Sequence, residues 1–262
     1  MLEFLRASPL TSDLEASRNW DYLFHFEAKR HLLTRKLVES VGLSDDGAFR
    51  ILDFGYLTGL TQEFLHRAFP EAHLVVCDRP TSPIFSDGRY LDAIRSREYL
   101  SLRACDINDA VEIREQFQVI TLGEIIEHLD PTQVAMAFEN LRKLAAPGAV
   151  MIVTTPNASS LYNCYMTLKQ QDAVTVPPIP NETHGYGHIH LWSPNVLRAT
   201  AEHFGWKFHA IEFYHGRDGE AFASLNRRWE SLSAQLVMRS IKLVGDCFPK
   251  LRSFFVAAFI AD

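Results

Sequence analysis

The chain has 262 residues, enough for one large domain or two small ones with a sizeable core. Hydrophobic residues make up 47% and charged residues 22%, the balance of a soluble globular protein. With 26 basic and 32 acidic residues the formal net charge is −6, which disfavours the basic surface that an extended nucleic-acid duplex footprint needs.

In chain order, residues 13–41 read as one helix, because Leu14, Tyr22, Phe26, Leu33 and Leu37 recur at roughly helical intervals with charges between them and Gly42 follows as a stop. Strands and helices then alternate. Short apolar runs predict strands at Phe49–Asp53, His73–Asp78, Tyr99–Cys105, Phe117–Leu122 and Val150–Thr155. Helical patterns fall at 59–68, about 88–97, 108–115 and 131–145. The last is well marked, with Asp130 as N-cap, Pro131 in the first turn and Pro147-Gly148 beyond its end. Residues 156–192, rich in Pro, Asn, His and Tyr, read as a loop or lid, and a long irregular stretch in a compact domain is usually functional or disordered. Ser193-Pro194 opens a helix to about Phe204, Trp206–Tyr214 is strand-like, a long helix covers about 221–245 and a last strand 253–260. Such alternation implies a parallel sheet covered on both faces. Residues 1–47 are expected to form an N-terminal helical cap on a domain spanning 48–262.

The four cysteines, Cys77, Cys105, Cys164 and Cys247, form no C-x-x-C pair, so neither a disulfide scaffold nor a zinc knuckle is expected and a reducing, cytoplasmic setting fits. No basic segment followed by an apolar one opens the chain, and the longest apolar run, Phe254 to Ala261, is too short to span a bilayer.

The stretch Asp53-Phe54-Gly55-Tyr56-Leu57-Thr58-Gly59 joins the first strand to a helix. A glycine turn there lets backbone approach a ligand closely at the positive end of the helix. It lacks the G-x-G-x-x-G of a nicotinamide site. Ligands of an open parallel sheet sit at the carboxyl ends of the strands, where Asp78, Cys105-Asp106-Ile107 and Leu122-Gly123-Glu124 also fall. An acidic residue about 20 residues past a glycine turn suits two ribose hydroxyls.

Taken in this order, the four motifs resemble those of class I S-adenosylmethionine (SAM) methyltransferases over roughly residues 48–262. The resemblance implies a Rossmann-like α/β fold with a seven-stranded, mostly parallel sheet whose last strand inserts antiparallel beside the fifth. It implies SAM as cofactor, with Asp53, Gly55, Gly59, Asp78, Asp106, Ile107 and Gly123 around it. The family pattern D-x-G-x-G-x-G has its middle glycine replaced by Leu57, whose side chain narrows the place for the methionine tail. Asp106 has a second reading, as the cap of helix 108–115.

Gly123-Glu124-Ile125-Ile126-Glu127-His128-Leu129 follows the fourth strand, where the methyl acceptor should lie. If this segment makes a helical turn, Glu124, Glu127 and His128, at i, i+3 and i+4, share one face. Two carboxylates and an imidazole suit a hard divalent ion such as Mg²⁺ or Mn²⁺. The E-x-x-E-H segment resembles that of O-methyltransferases of ubiquinone synthesis and of small-RNA 3′-terminal 2′-O-methyltransferases. The latter take a further histidine from a downstream H-x-x-x-W-like stretch, and His188-Ile189-His190-Leu191-Trp192 offers one here. The resemblance makes Glu124, Glu127, His128 and His188 the metal ligands, with His184 and His190 as alternatives, and Glu127, His128 and His188 the catalytic groups. Glutamates before helix 131–145 also complement its dipole without any metal. Tyr162, Tyr165, Tyr186 and Trp192 could stack on an acceptor or pin a lid, and Arg30, Tyr22 and His25 could close over the cofactor from the first helix. The expected activity is methyl transfer from SAM to a small-molecule hydroxyl. An RNA 3′ end is the variant that the acidic balance disfavours, and a non-catalytic binding protein is the reading that Leu57 motivates.

Overall fold

The computed structural model describes residues 20–44, 47–56, 59–86, 88–169, 187–215 and 232–262. Seven strands form one sheet in the order β3-β2-β1-β4-β5-β7-β6. They are β1 (Arg50–Phe54), β2 (His73–Asp78), β3 (Leu100–Ala104), β4 (Phe117–Gly123), β5 (Ala145–Pro156), β6 (Trp206–Tyr214) and β7 (Phe254–Ala261). The first five run parallel, and β7 lies antiparallel between β5 and β6. This is the expected class I methyltransferase topology. The strand order reverses between β1 and β4, which opens the crevice at their carboxyl ends.

The central strands are buried on both faces, so they read as continuous apolar runs. One face carries Leu52, Val75, Ile120, Met151 and Phe259 under helices α4 (Pro131–Leu144) and α6 (Pro194–His203), the other Ile51, Leu74, Val119, Ile152 and Ala258. Beside that second face lie α1 (Trp20–Glu39), α2 (Leu60–Ala68) and α3 (Gly88–Arg95). Leu37 and Val38 of α1 join its core, and α1 packs against α2, β5, β6 and β7. Helix α4 is closed at its start by a full capping box: Asp130 accepts from the Thr132 and Gln133 amides while the Gln133 side chain accepts from the Asp130 amide.

Several boundaries differ from the sequence reading. The predicted helix 108–115 is a 3₁₀ segment, Ile107–Glu112. Strand β5 starts at Ala145, and Pro147-Gly148, read as the stop after α4, lies inside it where the register with β4 shifts. Within the predicted loop 156–192, residues Leu161–Leu168 form a helix, α5, capped by Ser160. The predicted helix 221–245 is described as α7, Leu232–Cys247, and residues 216–231 lie outside the described residues, as do 13–19 of the first helix. Among the described residues no helix is long and apolar enough to cross a membrane.

Candidate active site

The carboxyl edge of β1, β2, β3 and β4 carries the residues expected at the cofactor. Gly55 (φ 89°) and Gly59 (φ 76°) both adopt the left-handed conformation, and the Gly55 amide donates to the Cys77 carbonyl at 2.8 Å. A Cβ on Gly59 would meet the Tyr56 hydroxyl at 2.7 Å. Tyr56 itself is buried beneath the turn, with Arg97 Nη1 donating to its hydroxyl at 3.1 Å, so its bulk points into the core. Leu57 and Thr58 lie outside the described residues. Asp53 is fully buried and accepts from Gln62 Nε2 at 2.5 Å and from the Thr121 hydroxyl, so its carboxylate ties the turn to α2 and β4. Asp78 is half-buried at the end of β2, with Oδ2 accepting from the Tyr56 amide (3.0 Å) and Oδ1 from the Arg79 amide (2.7 Å). Those bonds hold the carboxylate against the glycine turn, and each oxygen keeps lone-pair capacity for a ribose hydroxyl. Asp106 acts as the cap of the 3₁₀ segment, its Oδ1 accepting from Asn108 N (3.0 Å) and Nδ2 (2.9 Å), while Ile107 is buried beside it.

Arg30 reaches this edge from α1. Its side chain is buried, its Nη2 donates to Thr61 Oγ1 at 2.9 Å, and its guanidinium lies over Gly123, where a Cβ would meet Nη1 at 3.2 Å. Of Tyr22 and His25 only the helical backbone is described.

The residues expected at the acceptor are built on the turn after β4. Glu124 is the one non-glycine residue with positive φ (56°) among the described residues. Its amide donates to the Thr154 carbonyl (3.0 Å), and the Thr154 hydroxyl donates to its Oε1 (2.9 Å). The helical turn is a short 3₁₀ one, Ile126–His128, so the expected shared face of Glu124, Glu127 and His128 gives way to a cluster of Glu127, His128 and His188. Ligand atoms of these three lie within 4.8 Å of one another, with Glu124 beside the trio, close enough to act on the Glu127 carboxyl.

Glu127 is completely buried. Its Oε2 accepts from the Thr155 hydroxyl at 3.0 Å, and its Oε1 has no hydrogen-bond partner. Burial, then the negative charge of Glu124, raise its pKa well above the carboxylate range. His128 donates from Nδ1 to the Gly187 carbonyl at 3.0 Å, which leaves Nε2 as the lone-pair nitrogen. Burial lowers its pKa, the Gly187 bond opposes that, and the Arg79 charge adds to it. His188 sits edge-on to His128, ring centroids 4.7 Å apart. Its Nδ1 is buried without a partner, and burial together with His128 lowers its pKa to about 4. Both imidazoles are therefore neutral at pH 7. Two orphaned buried atoms and neutral imidazoles are what a divalent cation of borderline softness would use, so the donor set fits such an ion.

A strap brings His188 there. The Ile189 and His190 amides donate to the Glu127 carbonyl at 2.8 and 3.2 Å, and Trp192 Nε1 donates to the Ile126 carbonyl at 3.2 Å. Trp192 is buried, so it holds the strap and is not a surface for stacking on an acceptor. Its carbonyl accepts from the Ala158 amide at 2.9 Å, beside Asn157, which pairs with it in a parallel bridge. Asn157, fully buried, is a hub that sequence reasoning missed. Its Nδ2 donates to the Lys250 (3.0 Å) and Arg252 (2.8 Å) carbonyls, its Oδ1 accepts from the Ser159 amide (3.0 Å), and its carbonyl accepts from Asn163 Nδ2 (2.7 Å). A polar residue following Pro156 at the end of a buried strand was the available signal. His190 is exposed and packs edge-on against Trp192 (4.8 Å). His184 and Tyr186 lie outside the described residues, and Tyr165 lies under the Lys169 ammonium, 5.4 Å from its ring centre.

A glycine turn after β1, an acid at the end of β2, a bonded acidic turn after β4 and an antiparallel β7 together define a class I methyltransferase. A family model described as "Methyltransferase domain" matches residues 25–211, and the chain belongs to this family of SAM-dependent methyltransferases. The fold is similar to that of a SAM-dependent methyltransferase from Archaeoglobus fulgidus, 16% identical, with a TM-score of 0.54 over 91% of this chain and 99% of that one. It is similar to the N-methyltransferase NodS from Bradyrhizobium japonicum WM9 in complex with S-adenosyl-L-homocysteine, 18% identical, TM-score 0.50, over 90% of this chain and 87% of that one. A phosphoethanolamine N-methyltransferase from Haemonchus contortus in complex with SAM is 14% identical, TM-score 0.54, over 95% of this chain and 59% of its own. No curated protein matches in sequence.

Proposed function

We propose that the chain transfers the methyl group of SAM to a hydroxyl of a small molecule, with Glu127, His128 and His188 as the acceptor-activating groups. The observation that carries this reading is the buried, unpartnered pair Glu127 Oε1 and His188 Nδ1 beside the cofactor crevice. In the reading, the backbone of the Gly55–Gly59 turn and of Gly123 borders the cofactor's tail, Asp78 takes its ribose hydroxyls, and Ile107 with Asp106 borders its base. The methyl is already activated by the sulfonium, so the protein's task is to align acceptor oxygen, methyl carbon and sulfur in line. The acceptor O–H bond and the methyl–sulfur bond break as the O–CH₃ bond forms, and the sulfur keeps the bonding electrons. Glu127 takes the released proton at Oε1. Burial and Glu124 raise its proton affinity, as a base for a hydroxyl requires. His128, its tautomer fixed through Gly187, and His188 hold the acceptor oxygen.

A divalent cation held by Glu127, His128 and His188 would supply that acidity directly, by lowering the hydroxyl pKa. Two imidazoles beside one carboxylate favour Mn²⁺ over Mg²⁺.

The test is methyl transfer from labelled SAM to a panel of phenolic, aliphatic and amine acceptors, with chelator, Mn²⁺ or Mg²⁺. An O-methylated product, lost in Glu127→Ala and restored after chelation by Mn²⁺, is the expected result. Transfer to amines alone would replace the acceptor class, and transfer undiminished by chelator would remove the metal. Binding of S-adenosylhomocysteine without transfer to any acceptor, RNA 3′ ends included, would favour the non-catalytic reading.

A further inference from the structure

We propose that helix α7 (Leu232–Cys247) is a self-association surface, on which a second copy of this chain docks with its own α7 antiparallel. Three observations carry it. First, the face that α7 presents to solvent holds large apolar side chains. Leu236 (54% exposed) and Leu243 (66%) stand there, while Ile241 and Gly245 on the opposite side are buried. Scattered exposed leucines are ordinary on a protein surface, whereas these two share one line of one helix. Second, that line has the spacing of a seam between paired helices. Leu236, Ser240, Leu243 and Cys247 follow one another at intervals of four, three and four residues, and all four are exposed. The alternation averages about 3.5 residues, the period that keeps one stripe turned toward a partner helix. Small side chains alternate with the leucines. Large therefore meets small when Leu243 packs over Ser240 of the partner subunit and Leu236 over Cys247 of the partner subunit.

Third, the flanking charges choose the direction. Arg239 and Asp246, one heptad apart, are exposed on the same flank of the seam. In an antiparallel pair related by a twofold axis, each flank meets the same flank of the partner. The register that sets Leu243 over Ser240 of the partner subunit then brings Arg239 beside Asp246 of the partner subunit, and the symmetry makes that pair twice. In a parallel pair the flank would face the opposite one, which carries the half-buried Val237 and Val244, and both charges would go without a partner. Asp246 already accepts from Lys242 Nζ at 2.7 Å within its own helix, and a carboxylate has capacity for a second donor.

Two heptads make a small interface, so the dimer belongs in the micromolar range and exchanges with monomer, which leaves Cys247 open to reagents. The experiment is sedimentation equilibrium of the full chain across micromolar concentrations. Its variants are Leu243→Glu, Arg239→Glu, Asp246→Arg and the two charge exchanges combined, each checked for folding by circular dichroism. The unaltered chain should approach twice its monomer mass as concentration rises. Leu243→Glu, which sets a charge in the seam, should stay monomeric. Each single charge exchange should weaken the dimer about 10-fold, because two exposed attractive pairs become repulsive. The combined exchange should return the affinity to within about threefold of the original, which a loss of the Lys242 contact alone would not allow. A dimer that Leu243→Glu leaves intact forms elsewhere on the molecule and overturns the proposal. A monomer at every concentration also overturns it and gives the face to an unlike partner. A dimer weakened by both single exchanges and not restored by the combined one overturns the antiparallel pairing.

Discussion

Replacing Asn157 by Ala tests whether the strap that carries His188 is held by one buried side chain. The substitution removes two donated bonds, to the Lys250 and Arg252 carbonyls, and one accepted bond, from the Ser159 amide. The main-chain bonds of residue 157 survive, including that to the Ser253 carbonyl at 2.8 Å. At about 1 kcal/mol for each lost bond, the cost is ~3 kcal/mol. For a chain of this size that corresponds to a fall in Tm of roughly 6–12 °C. Urea unfolding and thermal melts measure the loss. Hydrogen exchange locates it: the amides of Ile189 and His190, bonded to the Glu127 carbonyl, should exchange faster, while those of β1 and β4 stay protected. A loss under about 1 kcal/mol, or unaltered exchange at 189 and 190 despite a larger loss, would refute the view that Asn157 anchors the strap.

Gly59→Ala should destabilise by about 2 kcal/mol or more, because φ 76° costs an L-residue roughly 1–2 kcal/mol and the new methyl meets the Tyr56 hydroxyl. Making the change in a Tyr56→Phe background should return part of that, and equal penalties in both backgrounds would show that the contact is irrelevant. Acid should weaken the fold through His188 and His215, both held near a pKa of about 4 mainly by burial. The unfolded chain takes up their protons near 6.5, so this stability is full above pH 6.5 and is lost as pH falls toward 4. Urea midpoints of His188→Gln should therefore fall less steeply across that window, and a parallel pH profile would contradict the depressed value. With a disulfide reagent the exposed Cys164 and Cys247 should react first, and Cys77, buried and raised to about 12, only on unfolding. Early modification of Cys77 would mean that β2 opens locally.

The central strands and their order were legible because each is an apolar run bounded by turn residues, and because the carboxyl ends carry Asp78, Gly123 and the glycine turn in sequence. What escaped was set by tertiary contact. The E-x-x-E-H spacing suggested one helical face, but Thr154 draws Glu124 into a left-handed conformation, and only three residues form the turn. Asp106 carried two readings in sequence, and the bonds to Asn108 show the cap in use. Helix α5 was missed because eight residues, mostly apolar, carry too little periodicity to stand out from a loop rich in the same residue types. The placement of Arg30 over Gly123 links positions 93 apart in sequence, and no local pattern reports it.

The strap grips the turn after β4 through the amides of Ile189 and His190, while both side chains are exposed, that of His190 resting edge-on against Trp192. Main-chain attachment is indifferent to what the side chains are, provided neither position becomes proline. Positions 189 and 190 are thus open to substitution while His188 stays where it is. A library randomised at these two positions would vary the rim of the proposed acceptor entrance while His188 keeps its place. That makes them the natural place to begin altering which acceptors the protein admits.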